Sequence, residues 1–226
     1  MFPRLTRPTF VSLVTVLLIL FSLSCTTTQK AVKPPPPNQG SRLIWSTHGD
    51  KAPAWIQVEP AATSEDGKFA QMVALSRKNS SQQRARSEAL REASKKFALR
   101  VGEKIEFKYK ELLKERGITT GDIQDPVLAD MKESLSTFSD GLVSEVTAKE
   151  WFVQKFMDDN VQKEYWEVTV FAQMPRSTLD EETKRFSQVQ RKKVQNDLDR
   201  ETNKVKVEQL KAMEEAYKEA EKGLDF

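Results

Sequence analysis

Six residues spaced four apart, Ala85, Ala89, Ala93, Phe97, Val101 and Ile105, constrain the fold most strongly. Side chains at this spacing lie on one face of a helix. Three successive alanines at its start let that helix approach another layer closely, so the stripe predicts a packing face against a sheet. Ser80-Ser81-Gln82-Gln83 before it has the form of a capping box with Ser80 as the cap. Gly117 supplies the stop. The helix is therefore predicted from about residue 81 to 116, with Gly102 marking a bend, because a mid-helix glycine costs about 1 kcal/mol against alanine. Arg84, Arg86, Glu88, Arg91, Glu92, Lys95 and Lys96 fall on the opposite face, which is expected to be solvated.

The flanking segments supply the sheet. Residues 69–76 alternate, with Phe69, Gln71, Val73 and Leu75 on one face and Ala70, Met72 and Ala74 on the other. Both faces are largely apolar, which predicts a central strand. Residues 142–157 and 161–174 read as two strands joined at Asp158-Asp159-Asn160. Trp166, Val168, Val170, Ala172 and Met174 form the core face of the second; Trp151 and Val153 oppose Phe152 and Phe156 in the first. Trp151 and Trp166 are expected in the core or at the sheet edge, with an aromatic platform for a glycan or base as the alternative. Asp125-Pro126 starts a second helix, which carries Val127, Leu128, Met131, Leu135 and Phe138 and ends at Asp140-Gly141. After Pro175, Thr178-Leu179-Asp180-Glu181 is another capping box, and a single helix is expected over 178–222, projecting and partly disordered. Leu179, Phe186, Val189, Val194, Leu198, Val205, Leu210, Met213 and Tyr217 only partly keep a heptad there, so pairing with a second copy or another partner is the alternative use. The expected class is α+β: a small, mostly antiparallel sheet packed by a long helix and a second helix, followed by a long C-terminal helix.

The first 25 residues address the chain. Arg4 and Arg7 precede the apolar run 10–21, and Ser22-Leu23-Ser24 leads to Cys25, the one cysteine of 226 residues. A cationic start, a short apolar stretch and small residues at its end describe a secretory signal. The run falls short of the roughly 20 residues needed to span a bilayer. Residues 26–50 then read as a polar tether containing Pro34-Pro35-Pro36-Pro37, a semi-rigid spacer. His48, the one histidine, lies in this tether and is expected to be solvated. The expected organisation is a signal peptide (1–24), a lipid-anchored Pro-rich tether (25–52), an α+β domain (53–175) that Pro53-Ala54-Trp55 opens, and a charged C-terminal helix (176–226).

Cys25 after Leu23-Ser24 resembles the lipobox of bacterial lipoproteins, although leucine stands two residues before the cysteine where the usual box places it three before. The resemblance implies that Cys25 is acylated and that the preceding peptide is removed. A plain signal cut near Ser24, leaving a free thiol, and an uncleaved anchor are the alternatives. Acylation accounts for a lone thiol in a compartment that favours disulfides. Thr26, in place of an aspartate, implies by the same family rule the outer membrane, facing the periplasm or the surface.

Charge and missing motifs narrow the function further. Loss of Arg4 and Arg7 with the signal lowers the formal net charge from +3 to +1. A near-neutral chain with mixed signs argues against a nucleic-acid partner. With at most one cysteine, packing alone must hold the domain. No Ser-His-Asp set, Cys/His metal cluster or glycine-rich phosphate loop is present, so no catalytic residue, metal ligand or cofactor is assigned. Asp158/Asp159, Glu181/Glu182 and Glu214/Glu215 are paired carboxylates in turns or on exposed faces.

Pro53 and Trp55, the strand 73–76, and Ala85, Arg86, Ala89 and Ala93 together resemble the envelope lipoproteins of the twenty-kilodalton LPP type over about residues 53–174. The layout is also similar to the N-terminal domain of a flagellar assembly lipoprotein-like family. The resemblance implies an α+β envelope domain without known enzymatic activity, the six residues being structural. The expected partners are a lipid bilayer through acylated Cys25 and an envelope protein or the cell wall. Two further functions stay open: an assembly factor for a flagellar or secretion machine that oligomerises through 178–222, and a peptidoglycan-associated binder or enzyme.

Overall fold

The computed structural model describes residues 40–49, 51–58, 60–118 and 125–224. The chain forms, in order, β1 (Ser41–Ser46), α1 (Ala54–Gln57), β2 (Phe69–Leu75), α2 (Gln82–Glu115), α3 (Pro126–Leu142), β3 (Thr147–Asp158), β4 (Lys163–Pro175), α4 (Arg176–Leu198) and α5 (Lys204–Ala220). The class is α+β: a four-stranded antiparallel sheet in the order β1-β3-β4-β2, with helices. From Gly40 onward the described residues belong to one compact unit.

The alanine stripe does what its spacing requires. Ala85, Ala89 and Ala93 are fully buried, and Phe97, Val101 and Ile105 continue the buried line. They share a core with Ala70 and Ala74 of β2 and with Val168, Val170, Ala172 and Met174 of β4. Small residues on both layers bring the helix close to the sheet. Lys96 Nζ reaches the Val73 carbonyl of β2 at 2.7 Å. α2 has 34 residues, about 51 Å at the usual rise, and overruns the sheet. Its second half packs on helices instead: Glu106 pairs with Lys132 of α3 at 3.2 Å, and Arg116 pairs with Glu208 and Glu215 of α5 at 3.2 and 2.8 Å. Gly117, at φ +69°, ends the helix, and the Ile118 N–H closes it on the Leu113 carbonyl.

Asp125 caps α3 as its Asp-Pro pair requires, accepting the Val127 and Leu128 N–H groups on Oδ1. Its Oδ2 accepts the buried Tyr109 hydroxyl of α2 at 2.5 Å. The β3–β4 hairpin turns after Asp158, whose Oδ1 accepts the Asn160 N–H at 3.0 Å.

Several expectations are corrected. Residues 41–46, assigned to the tether 25–52, form an edge strand paired with β3 from Ser41↔Asp158 to Ser46↔Gln154. A register shift between Leu43 and Trp45, and exposure of four of its six residues, remove the alternation that would mark a strand. β2 is an edge strand rather than a central one; its outer side is met by residues 62–64, where the Gln71 N–H donates to the Ala62 carbonyl. Residues 142–146 are not strand, because α3 continues to Leu142, which the core buries completely. Ser81, not Ser80, caps α2, and Pro175 precedes α4 in place of a Thr178 cap. Gly102 marks a close approach: a Cβ there would collide with the Leu135 side chain of α3.

The single projecting helix over 178–222 is two helices. Asn203 caps α5 by accepting the Val205 and Lys206 N–H groups, and Glu201 Oε1 accepts those of Thr202 and Asn203. α5 therefore returns along α4 and onto α2, burying Leu210, Met213 and Tyr217 in the common core. The boundary drawn at 175/176 does not separate two bodies, since Leu179, Phe186 and Val194 also belong to that core.

Candidate functional site

The strand-to-helix connection after β2 is held rigidly. Ser76 extends the β2–β4 ladder: its N–H donates to the Val168 carbonyl at 2.9 Å, and its Oγ accepts the Val168 N–H at 3.0 Å. Asn79 then exchanges two backbone hydrogen bonds with Trp166, at 3.0 and 2.7 Å. Ser81 starts α2 by accepting the Arg84 N–H at 3.2 Å. The segment 76–81 thus stands as a fixed wall beside the first turns of α2.

Between this wall and the outer face of α2 lies a groove of about 710 Å³, bordered by Arg77, Asn79, Ser81, Gln83, Arg84, Ser87, Glu88, Arg91, Glu92 and Lys95. It carries four cations and two carboxylates. Glu88 faces Arg77 at 3.8 Å and accepts the Asn79 side-chain amide, and Glu92 is bonded to Lys95 at 2.7 Å. Arg84 and Arg91 are exposed and have no ion-pair partner among the described residues. Seven residues apart, they stand roughly 10.5 Å from each other along the helix axis. The groove can offer two unspent guanidinium forks, flanked by amides and hydroxyls. The helix face expected to be merely solvated is one side of this concave surface; the signal missed was the polar loop 76–81, whose pairing with β4 has no periodicity.

The residues singled out from the sequence do not come together. Cys25 lies outside the described residues, as does most of the tether. Ala85, Ala89 and Ala93 face the sheet. Arg86 lies on the rim of α2 with its guanidinium 5.3 Å from the Trp151 ring. Pro53 precedes α1, and Trp55 lies across the sheet's other face, 5.8 Å from the Phe171 ring, its Nε1 donating to Glu150 at 2.6 Å. The two tryptophans weighed as a platform are engaged: Trp151 under Arg86, and Trp166 edge-on to Trp45 at 5.9 Å with Lys155 Nζ 5.5 Å from its ring. His48 is exposed in the turn after β1, with Nδ1 3.0 Å from Thr47 Oγ1 and its ring 5.7 Å from Phe152.

Two carboxyl groups are raised by burial at other places. Desolvation raises the Glu167 carboxyl, against the pull of Lys78. Desolvation also raises Asp180, against Arg176. Neither borders the groove. Among the described residues no group of three or more His, Cys, Asp or Glu side chains is placed to hold a metal ion, and no helix is long and apolar enough to cross a membrane. No family model, curated protein or solved structure matches the chain.

Proposed function

We propose that the chain is a non-enzymatic bacterial envelope lipoprotein, anchored through acylated Cys25, whose α+β domain acts as an interaction module. The observation that carries this reading is a lone cysteine directly after a cationic, short apolar, small-residue segment. A second acyl chain on the same cysteine makes such anchoring stable, each buried methylene contributing about 0.8 kcal/mol. The tether shortens to residues 26–40, because Ser41 already enters the sheet. Held this way, the domain meets envelope partners at a raised effective concentration. Outer-membrane placement belongs to the same proposal, through Thr26.

The oligomerising assembly factor is the less favoured reading. It needs apolar residues of 178–222 for a partner, and Leu210, Met213 and Tyr217 are packed within the chain's own core. The experiment is metabolic labelling with a fatty-acid analogue, followed by membrane fractionation, of the native protein beside Cys25→Ser. Label and membrane association are expected for the native protein and lost in the variant. An unlabelled, soluble native protein beginning near residue 25 would overturn the proposal.

A further inference from the structure

We infer that the groove between the 76–81 segment and α2 binds an acidic glycan, a sugar chain bearing carboxylates, with Arg84 and Arg91 as its two anion-holding residues. Four side chains of opposite sign already pair within the groove, so its excess charge is concentrated in two guanidinium groups. A guanidinium fork matches a carboxylate with two parallel N–H donors. At about two helical turns apart, the two forks suit acid groups on separate sugars of one chain, not the two oxygens of one small anion.

The rest of the lining selects among polyanions. Gln83 adds a side-chain amide and Ser81 a hydroxyl beside Arg84, while Ser87 Oγ, whose proton goes to the Gln83 carbonyl, and the oxygens of Glu88 and Glu92 accept from sugar hydroxyls. A peptide would need an apolar anchor pocket or an open strand edge, and the lining supplies neither. Single-stranded nucleic acid needs aromatic side chains for its bases to stack on, and none borders the groove. A bilayer surface is convex or flat, whereas the donors here stand inside a concavity. The charge pattern is independent of the lipid anchor; only the expectation that such glycans are met in the envelope rests on the function proposed above.

The test uses the full mature protein in detergent, titrated at low salt with three probes: oligogalacturonate, its methyl ester, and poly-glutamate of matched charge. Anionic phospholipid vesicles form a fourth arm. Binding of oligogalacturonate alone, weakening as salt screens the charges, is expected. Arg84→Gln with Arg91→Gln should weaken it about tenfold, the scale of two exposed ion pairs lost together. Lys192→Gln with Lys193→Gln, on the exposed surface of α4, should leave it unchanged. An unaltered melting curve for the arginine variant shows that the fold survives. Failure of oligogalacturonate to bind, equal binding of the methyl ester, poly-glutamate or the vesicles, or full binding by the arginine variant would each overturn the inference. Cys25 labelling of the same variant reports separately on the anchor.

Discussion

Gly102→Ala is the sharpest probe of how α2 and α3 meet. In an isolated helix this change stabilises by about 1 kcal/mol, because glycine has the larger entropy to lose. Here Gly102 is buried, and a Cβ built on it overlaps the end of the Leu135 side chain, which is itself 6% exposed. Overpacking of this kind costs about 1–3 kcal/mol. The sum is a net loss of about 1 kcal/mol. Leu135→Ala alone should cost about 2–5 kcal/mol through the cavity it leaves. With that side chain gone, the three atoms nearest the new Cβ are removed, so Gly102→Ala regains its helix preference and refills part of the space and should stabilise by about 1 kcal/mol. The coupling between the two positions is then about 2 kcal/mol, within the range of residues in contact. Urea unfolding of the four proteins, followed by tryptophan fluorescence and helical circular dichroism, gives the cycle. A Gly102→Ala change that stabilises both backgrounds equally would refute the claim that glycine sets the spacing of these helices.

Two further outcomes are expected. Tyr109→Phe removes the hydroxyl bonded to Asp125 Oδ2 in the core and should cost about 1.5–3 kcal/mol, the range for a hydrogen bond to a charged group; Asp125→Ala should cost more, because the α3 cap goes too, and a neutral Tyr109→Phe in urea unfolding would contradict this. Burial holds the Asp180 carboxyl above its ordinary 3.8, with one oxygen buried and unpartnered, so the charged form is penalised only in the folded state. Folding therefore loses stability as pH rises through the raised value and recovers it as pH falls towards 3.8. Asp180→Asn should raise stability at pH 7 by less than about 1 kcal/mol and give no gain below 3.8; a gain that persists in acid would refute the electrostatic cause.

The sequence by itself determined the elements whose period is local. The stripe from Ala85 to Ile105, the Asp125-Pro126 start and the β4 alternation are each written in neighbouring residues, and all lie where their spacing puts them. The export signal and anchor proposed for residues 1–25 likewise rest on composition and order alone. Tertiary structure decided what depends on distant partners. β1 is a strand because β3 lies beside it, 108 to 117 residues away, and not because its own residues alternate in burial. The break at 199–203 was present as a polar stretch, but only the apolar faces of α4 and α5 meeting across it, on a helix long enough to receive them, turn it into a hairpin. The groove follows the same rule. Its charges lie at helical spacing in the sequence, but a concave site needs a second wall, and that wall exists because Ser76 and Asn79 take their backbone partners from β4.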